Sequence, residues 1–90
     1  MPPKLTWTRT VIAGDEMHED FTAHDDKNGR KVGRIYRHHT GGIAGGRWFW
    51  AMQANGPDID RSHYATSGTV DGKQDAAEAV KLVYEACMRR

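Results

Sequence analysis

The segment RWFWAMQ, from Arg47 to Gln53, restricts the fold more than any other part of the sequence. A period of two places Trp48, Trp50 and Met52 on one face of an extended chain and smaller or polar residues mostly on the other. This pattern is typical of a β-strand that buries one face. We therefore expect the strand to lie in a sheet, with its tryptophans packed beneath another element as the main part of the core.

The stretch from Asp71 to Met88 has the marks of an amphipathic helix. Asp71 stands in a capping position and Gln74 follows three residues later, as in a capping box. Small residues in its apolar stripe would let the helix lie close against a sheet. The stripe consists of Ala76, Ala79, Val80, Val83 and Cys87, widened by Leu82 and Ala86. We expect a helix over residues 71–88 that covers one face of the sheet.

Other segments predict the rest of the sheet. The Asn28-Gly29 pair lies between two extended runs and predicts a hairpin, because both residues tolerate positive φ. Gly33 could allow a bulge in the second strand of this hairpin. The predicted strands are Leu5–Ile12, Asp20–Asp25, Lys31–His38, Arg47–Gln53 and Tyr64–Val70, with Gly14–Asp20 as a loop or helical turn. The fold class is therefore α+β: an antiparallel meander sheet of three to five strands with one C-terminal helix packed on one face.

Length and composition favour one small folded domain. The chain has 90 residues, of which 38% are hydrophobic and 28% charged, values typical of globular proteins. We expect a partly irregular segment over 1–20, the sheet over 21–70 and the helix over 71–88. The single cysteine excludes an internal disulfide, and the first residues lack the apolar run of a signal sequence or membrane span. We expect a cytoplasmic monomer or weak dimer without membrane contact.

Motifs for metal binding or catalysis are lacking in the sequence. The five histidines do not follow ligand spacing. The segment that begins at His24 resembles a calcium loop, but its first ligand would be His and its twelfth position is Ile35 rather than Glu. No Gly-x-Ser-x-Gly turn or phosphate-binding loop is present. We therefore expect no metal, no cofactor and no enzymatic activity.

The strongest candidate for a binding function is the block from Arg30 to Trp50. It contains five Arg or Lys residues and no Asp or Glu, whereas residues 1–29 contain three basic and six acidic residues. One interpretation is that Arg34, Arg37 and Arg47 are the solvated face of a one-sided sheet. The other is a cationic surface opposite the tryptophans, formed by Lys31, Arg37, His39, Arg47 and Phe49. Arginine binds phosphate with paired donors, and strands can enter a DNA groove.

From Val32 to Cys87 the order of segments resembles the three-stranded-sheet-plus-helix DNA-binding fold of ethylene-response-factor domains and integrase arm-binding domains. The resemblance is carried by Gly46–Met52 in the central strand, by Ser67–Asp71 before the helix, and by the alanine-rich helix residues Asp75–Ala79 and Tyr84–Ala86. An alanine-rich helix after a glycine-marked strand is also similar to small antitoxin-like and double-stranded-RNA-binding-like domains. The layout further resembles small bacterial or phage-type proteins, a resemblance that implies no activity.

These features predict a small binding module with DNA or a protein as its partner. In the DNA hypothesis the cationic face of the sheet binds the phosphates. Its contacts would come from Lys31, Arg34, Arg37 and Arg47, with His38 and His39 as supplementary donors. The alternative is a protein-interaction or regulatory adaptor, in which exposed Tyr36 and Phe49 form part of a patch and the charges steer association.

Overall fold

A computed structural model describes residues 4–12, 14–38 and 47–88, with the backbone alone described at 12, 15–18 and 38. This part of the chain forms the strands β1 Leu5–Ile12, β2 Asp15–Asp25, β3 Lys31–His38, β4 Arg47–Met52 and β5 Ser67–Val70, followed by the helix α1 Lys73–Cys87. The strands lie side by side in sequence order and every neighbouring pair is antiparallel. The helix packs on β3, β4 and β5. The predicted α+β meander with a C-terminal helix on one face is confirmed.

The core lies between α1 and the face of the sheet that carries the tryptophans. Trp50 and Met52 are buried, and their opposite residues in β3 are Ile35 and Gly33. Residues directly opposite in an antiparallel pair project to the same side, so Ile35 also enters the core. A Cβ at Gly33 would lie 2.4 Å from the carbonyl oxygen of Ala51, so this position needs glycine.

An irregularity between β2 and β3 explains why β3 does not alternate cleanly. Ala23 pairs with Gly33, but the next residue of β2, His24, pairs with Lys31 rather than with Val32. Val32 is the extra residue, and it is fully buried like Ile35. Val32 therefore shares the buried face with Ile35, although strict alternation along β3 would place it on the face of Tyr36, and the expected bulge beside Gly33 is the reason.

The hairpin between β2 and β3 is confirmed at the predicted place. Residues 26–29 form its loop, and the amide of Gly29 donates a hydrogen bond of 2.7 Å to the carbonyl of Asp25. Gly29 has a φ of 71°, in the left-handed region that favours glycine. The last strand, β5, is shorter than predicted, and Tyr64 lies outside it with 51% of its surface exposed.

The prediction of a loop or helical turn over Gly14–Asp20 is wrong. β2 begins at Asp15 and pairs with the end of β1, where Val11 lies opposite Glu16. The neighbouring aligned pair is Arg9 with Phe21. Between these two pairs the residue numbers differ by two in β1 and by five in β2. The three extra residues disturb the period of two in β2, which is why this strand shows no alternation in the sequence.

The helix begins one position later than the capping pattern predicts. Its N-cap residue is Gly72, which makes no side-chain capping hydrogen bond. Asp71 instead lies with its Oδ1 atom 3.4 Å from Nε of Arg47. The fully buried stripe of the helix consists of Ala76, Val80, Tyr84 and Cys87. Leu82 was expected to widen the stripe but is 54% exposed, and Tyr84 contributes the large side chain instead.

Candidate functional site

The face of the sheet opposite α1 is not covered by any described element, and we call it the open face. Tyr36 of β3 and Phe49 of β4 lie directly opposite each other on it. Their ring centroids are 5.1 Å apart with an interplanar angle of 37°, and both side chains are half-buried. Tilted aromatic pairs at this separation are favourable. The pair forms an apolar centre in an otherwise polar surface.

Arg34 lies beside the aromatic pair and is bound by a carboxylate. Its Nε atom donates a hydrogen bond of 2.8 Å to Oδ1 of Asp20, and its guanidinium makes a second hydrogen bond to Oδ2. The centre of the guanidinium lies 4.9 Å from the centroid of the Tyr36 ring, within the range of cation–π contacts. The charge of Arg34 is therefore largely balanced within the sheet, while its planar group stays part of the open face.

Asp20 is 5% exposed and is stabilised as an anion. Burial tends to raise its pKa, but the hydrogen bonds from Arg34 and Thr10 and the positive charge of Arg34 outweigh this effect. The pKa of Asp20 is consequently below its usual value. The Thr10 hydroxyl donates to Oδ1 over 2.7 Å and lies 2.8 Å from the hydroxyl of Thr22. This cluster joins β1, β2 and β3 across the open face.

Arg37 does not lie on the open face. It is opposite Trp48 in the pairing of β3 with β4, and its Nη1 atom lies 3.1 Å from Oε1 of Glu19. The expectation that Arg37 shares a face with Lys31 and Arg47 is wrong. Val32 is an extra residue between Lys31 and Gly33, so the odd-numbered residues of β3 from Gly33 onward project to the face opposite that of Lys31. Arg37 is thus directed to the side of the tryptophans.

The remaining predicted residues lie near the two ends of β3 and beyond it. Lys31 is exposed and opposite His24 at one end. Arg47 lies opposite His38 at the other end, and its pair with Asp71 joins two largely exposed side chains, so it adds little stability. The two ends of β3 are seven residues apart, so Lys31 and Arg47 lie at positions separated by about 23 Å along the strand. The side chain of His38 and all of His39 lie outside the described residues.

A second polar cluster, which the sequence did not reveal, lies on the helix side. The Tyr84 hydroxyl donates to Oδ2 of Asp25 over 2.5 Å and accepts a hydrogen bond of 2.7 Å from Nη2 of Arg30. Arg30 also binds both carboxylate oxygens of Asp58, over 2.8 and 2.9 Å. Asp25 and Tyr84 are almost completely buried. These contacts connect the β2–β3 hairpin with α1 and with the loop before β5.

The physical role of this second cluster is structural. Burial, the largest influence, and the hydrogen bond to Asp25 raise the pKa of Tyr84 against the opposing effect of Arg30. The phenol therefore stays protonated and donates. Sequence patterns indicated Tyr84 only as a residue of the alanine-rich helix, and its partner Asp25 is 59 positions away.

Within residues 4–12, 14–38 and 47–88, no three His, Cys, Asp or Glu side chains are grouped so that they could hold a metal ion. The helix in this part of the chain is too short and too polar to cross a membrane. Comparisons of the chain with protein-family models, with curated proteins and with solved structures give no match.

Proposed function

We propose that this chain is a small DNA-binding module that acts through the open face of its sheet. The observation that carries the proposal is the aromatic pair of Tyr36 and Phe49 on a helix-free face, with the guanidinium of Arg34 against the Tyr36 ring. Lys31 and Arg47 stand near the ends of the same face. Arginine and lysine supply phosphate contacts, and half-buried aromatic rings offer flat surfaces for bases or sugars.

The size of the face suits a short segment of duplex. The length of β3, about 23 Å, corresponds to roughly seven base pairs at 3.4 Å per step. The cationic side chains at its ends would contact phosphates on either side of the groove, while the central residues face the bases. Arg34 is available as a donor even in its ion pair, because its Nη1 group makes neither of the two hydrogen bonds to Asp20.

The salt dependence of binding tests the proposal. Three phosphate contacts, from Lys31, Arg34 and Arg47, should give a slope of log K against log salt of about −3 by counterion release. Fluorescence anisotropy with a labelled duplex over a range of salt concentrations measures this slope. No binding at low salt would rule out the proposal.

The position of Arg37 provides a matched control for the face that binds. Arg47→Gln and Arg37→Gln remove the same charge from the same half of the sheet, but on opposite faces. We expect Arg47→Gln to weaken DNA binding about three- to tenfold and to make the salt slope shallower by about 1. Arg37→Gln should leave the affinity within a factor of two. Equal effects of the two substitutions would contradict binding through the open face.

A protein partner is the second candidate, and the pairing of Arg34 with Asp20 favours it. This ion pair reduces the positive charge around the aromatic pair, and a half-buried Tyr–Phe contact is a typical anchor at protein interfaces. Binding to such a partner should survive moderate salt and be lost in Phe49→Ala. A DNA complex should instead weaken steeply with salt.

A further inference from the structure

The strand β1 leaves one edge of the sheet unpaired among the described residues. It is hydrogen-bonded to β2 alone, whereas β5 at the other edge has only four residues and includes Gly68. Edge strands are usually short or carry Lys or Pro, because free N–H and C=O groups can pair with another strand. β1 has eight residues, LTWTRTVI, and contains neither.

The side chains of β1 from Leu5 to Thr10 alternate between the two faces of the sheet, and continuing the same period places Val11 on the helix side. Thr8 lies opposite Thr22, and the hydroxyl of Thr10 contacts that of the same threonine, so the even positions belong to the open face. The odd positions belong to the helix side, since Trp7 lies opposite Ala23 of the core. Val11 is an odd position that is 60% exposed although it is apolar. The helix-side set is Leu5, Trp7, Arg9 and Val11.

We propose that β1 pairs antiparallel with β1 of a second copy, about a two-fold axis that passes through Thr8 perpendicular to the sheet. In this register Trp7 lies opposite the partner's Arg9, and Leu5 lies opposite the partner's Val11. The first contact is a cation–π pair and the second is apolar, and each occurs twice by symmetry. On the other face, threonines lie opposite threonines, a favourable cross-strand combination.

Neighbouring registers are less favourable. Side chains of the two copies lie opposite each other on the same face only if the two-fold axis passes through a residue. An axis midway between two residues would place each side chain opposite one from the other face. An axis through Arg9 would place the two Arg9 guanidinium groups opposite each other. An axis through Trp7 would place Arg9 opposite the apolar partner residue at position 5 and would leave Val11 beyond the paired segment. The axis through Thr8 pairs every residue from Leu5 to Val11 favourably.

The dimer would have one continuous sheet with both open faces on the same side. This goes beyond the proposed function, because the pairing involves backbone groups and β1 side chains that the DNA proposal does not use. The contact is smaller than a standard protein interface, so we expect a dissociation constant of roughly 10 to 100 µM.

Sedimentation equilibrium of the full chain, without DNA, tests the proposal. Wild type should show a monomer–dimer equilibrium, and Thr8→Lys should raise the dissociation constant at least tenfold by placing two like charges at the axis. Thr69→Lys, at an exposed open-face position of β5, is the matched control and should behave as wild type. An equimolar mixture of Thr8→Lys and Thr8→Glu should recover dimers. A monomeric wild type, or a dimer that Thr8→Lys does not weaken, would overturn the proposal.

Cross-linking tests the register itself. Asp26 donates its amide to the carbonyl of Lys4, so even positions of β1 direct their backbone groups toward β2. The two copies of Thr8 would therefore form a non-hydrogen-bonded pair with Cα atoms about 4.5 Å apart, close enough for a disulfide. With oxidised glutathione as the oxidant, Thr8→Cys should form disulfide-linked dimers much faster than Thr69→Cys. Equal rates would show random collision and contradict the pairing.

Because neither experiment contains DNA, their failure would leave the outcome of the salt titration unaffected.

Discussion

Two buried aspartates of β2, Asp20 and Asp25, occupy opposite faces of the sheet and have different kinds of partners. Asp25 is 3% exposed beneath the helix and accepts a hydrogen bond from Tyr84, 59 positions away. Asp20 is 5% exposed on the open face, and its partners Thr10 and Arg34 belong to the two adjacent strands. The comparison teaches that the buried aspartate on the helix side joins distant parts of the chain, whereas the one on the open face joins neighbouring strands of the sheet.

The largest expected effect is a difference in the free energy of unfolding between substitutions on the two faces. Tyr84→Ala should lower the free energy of unfolding by about 3 to 5 kcal/mol, because it opens a cavity in the core and removes a partner of both Asp25 and Arg30. Tyr36→Ala removes the same kind of side chain from the open face and should cost about 1 kcal/mol. Urea unfolding followed by tryptophan fluorescence measures both. Similar losses would contradict the division between the two faces.

A smaller substitution isolates the phenol hydroxyl. Tyr84→Phe keeps the ring and should cost about 1 to 3 kcal/mol near neutral pH, since Asp25 and Arg30 lose a buried hydrogen-bond partner. The pKa of Tyr84 is raised in the folded state above the ordinary value of about 10. The unfolded chain therefore loses this proton first, and the stability that the raised pKa contributes is lost as pH rises from about 10 through the folded pKa.

Measurements of stability at alkaline pH test whether this contribution is lost as pH rises. Wild type and Tyr84→Phe are compared by urea unfolding from neutral pH to the alkaline range, and the difference between them should shrink above about pH 10. A constant difference would indicate that the hydroxyl has the same pKa in both states.

Much of the fold follows from local patterns in the sequence. The alternation around Trp50 predicted β4 and its buried face, and the Asn28-Gly29 pair predicted the β2–β3 hairpin, because both signals act over a few residues. The start of β2 was missed because its pairing with β1 includes three extra residues on the β2 side, which removes the period of two. A strand that is defined by its neighbour rather than by its own pattern has no local signal.

The candidate site was less predictable than the fold. Arg34 and Arg47 are on the open face as expected, but the bulge at Val32 moved Arg37 to the other side. The ion pair of Arg34 with Asp20 depends on register between strands, which a cationic run in the sequence does not reveal. A count of basic residues therefore overstated the charge available to a partner.

The smallest expected effect concerns Asp20 and the loss of stability at acidic pH. Asp20→Asn should cost about 1 kcal/mol at neutral pH, because Arg34 is partly exposed and water replaces some of the lost interaction. Since the pKa of Asp20 is lowered in the folded state, its contribution is present above the unfolded value of about 3.9 and is lost as pH falls through the folded pKa. The variant should therefore lose less stability than wild type on acidification, in urea unfolding between neutral pH and about pH 2. Asp71→Asn, at a side chain that is 92% exposed, is the control and should follow wild type. If Asp20→Asn also followed wild type over the whole range, the ion pair on the open face would contribute no more than an exposed surface contact, and Arg34 would be fully available to phosphate.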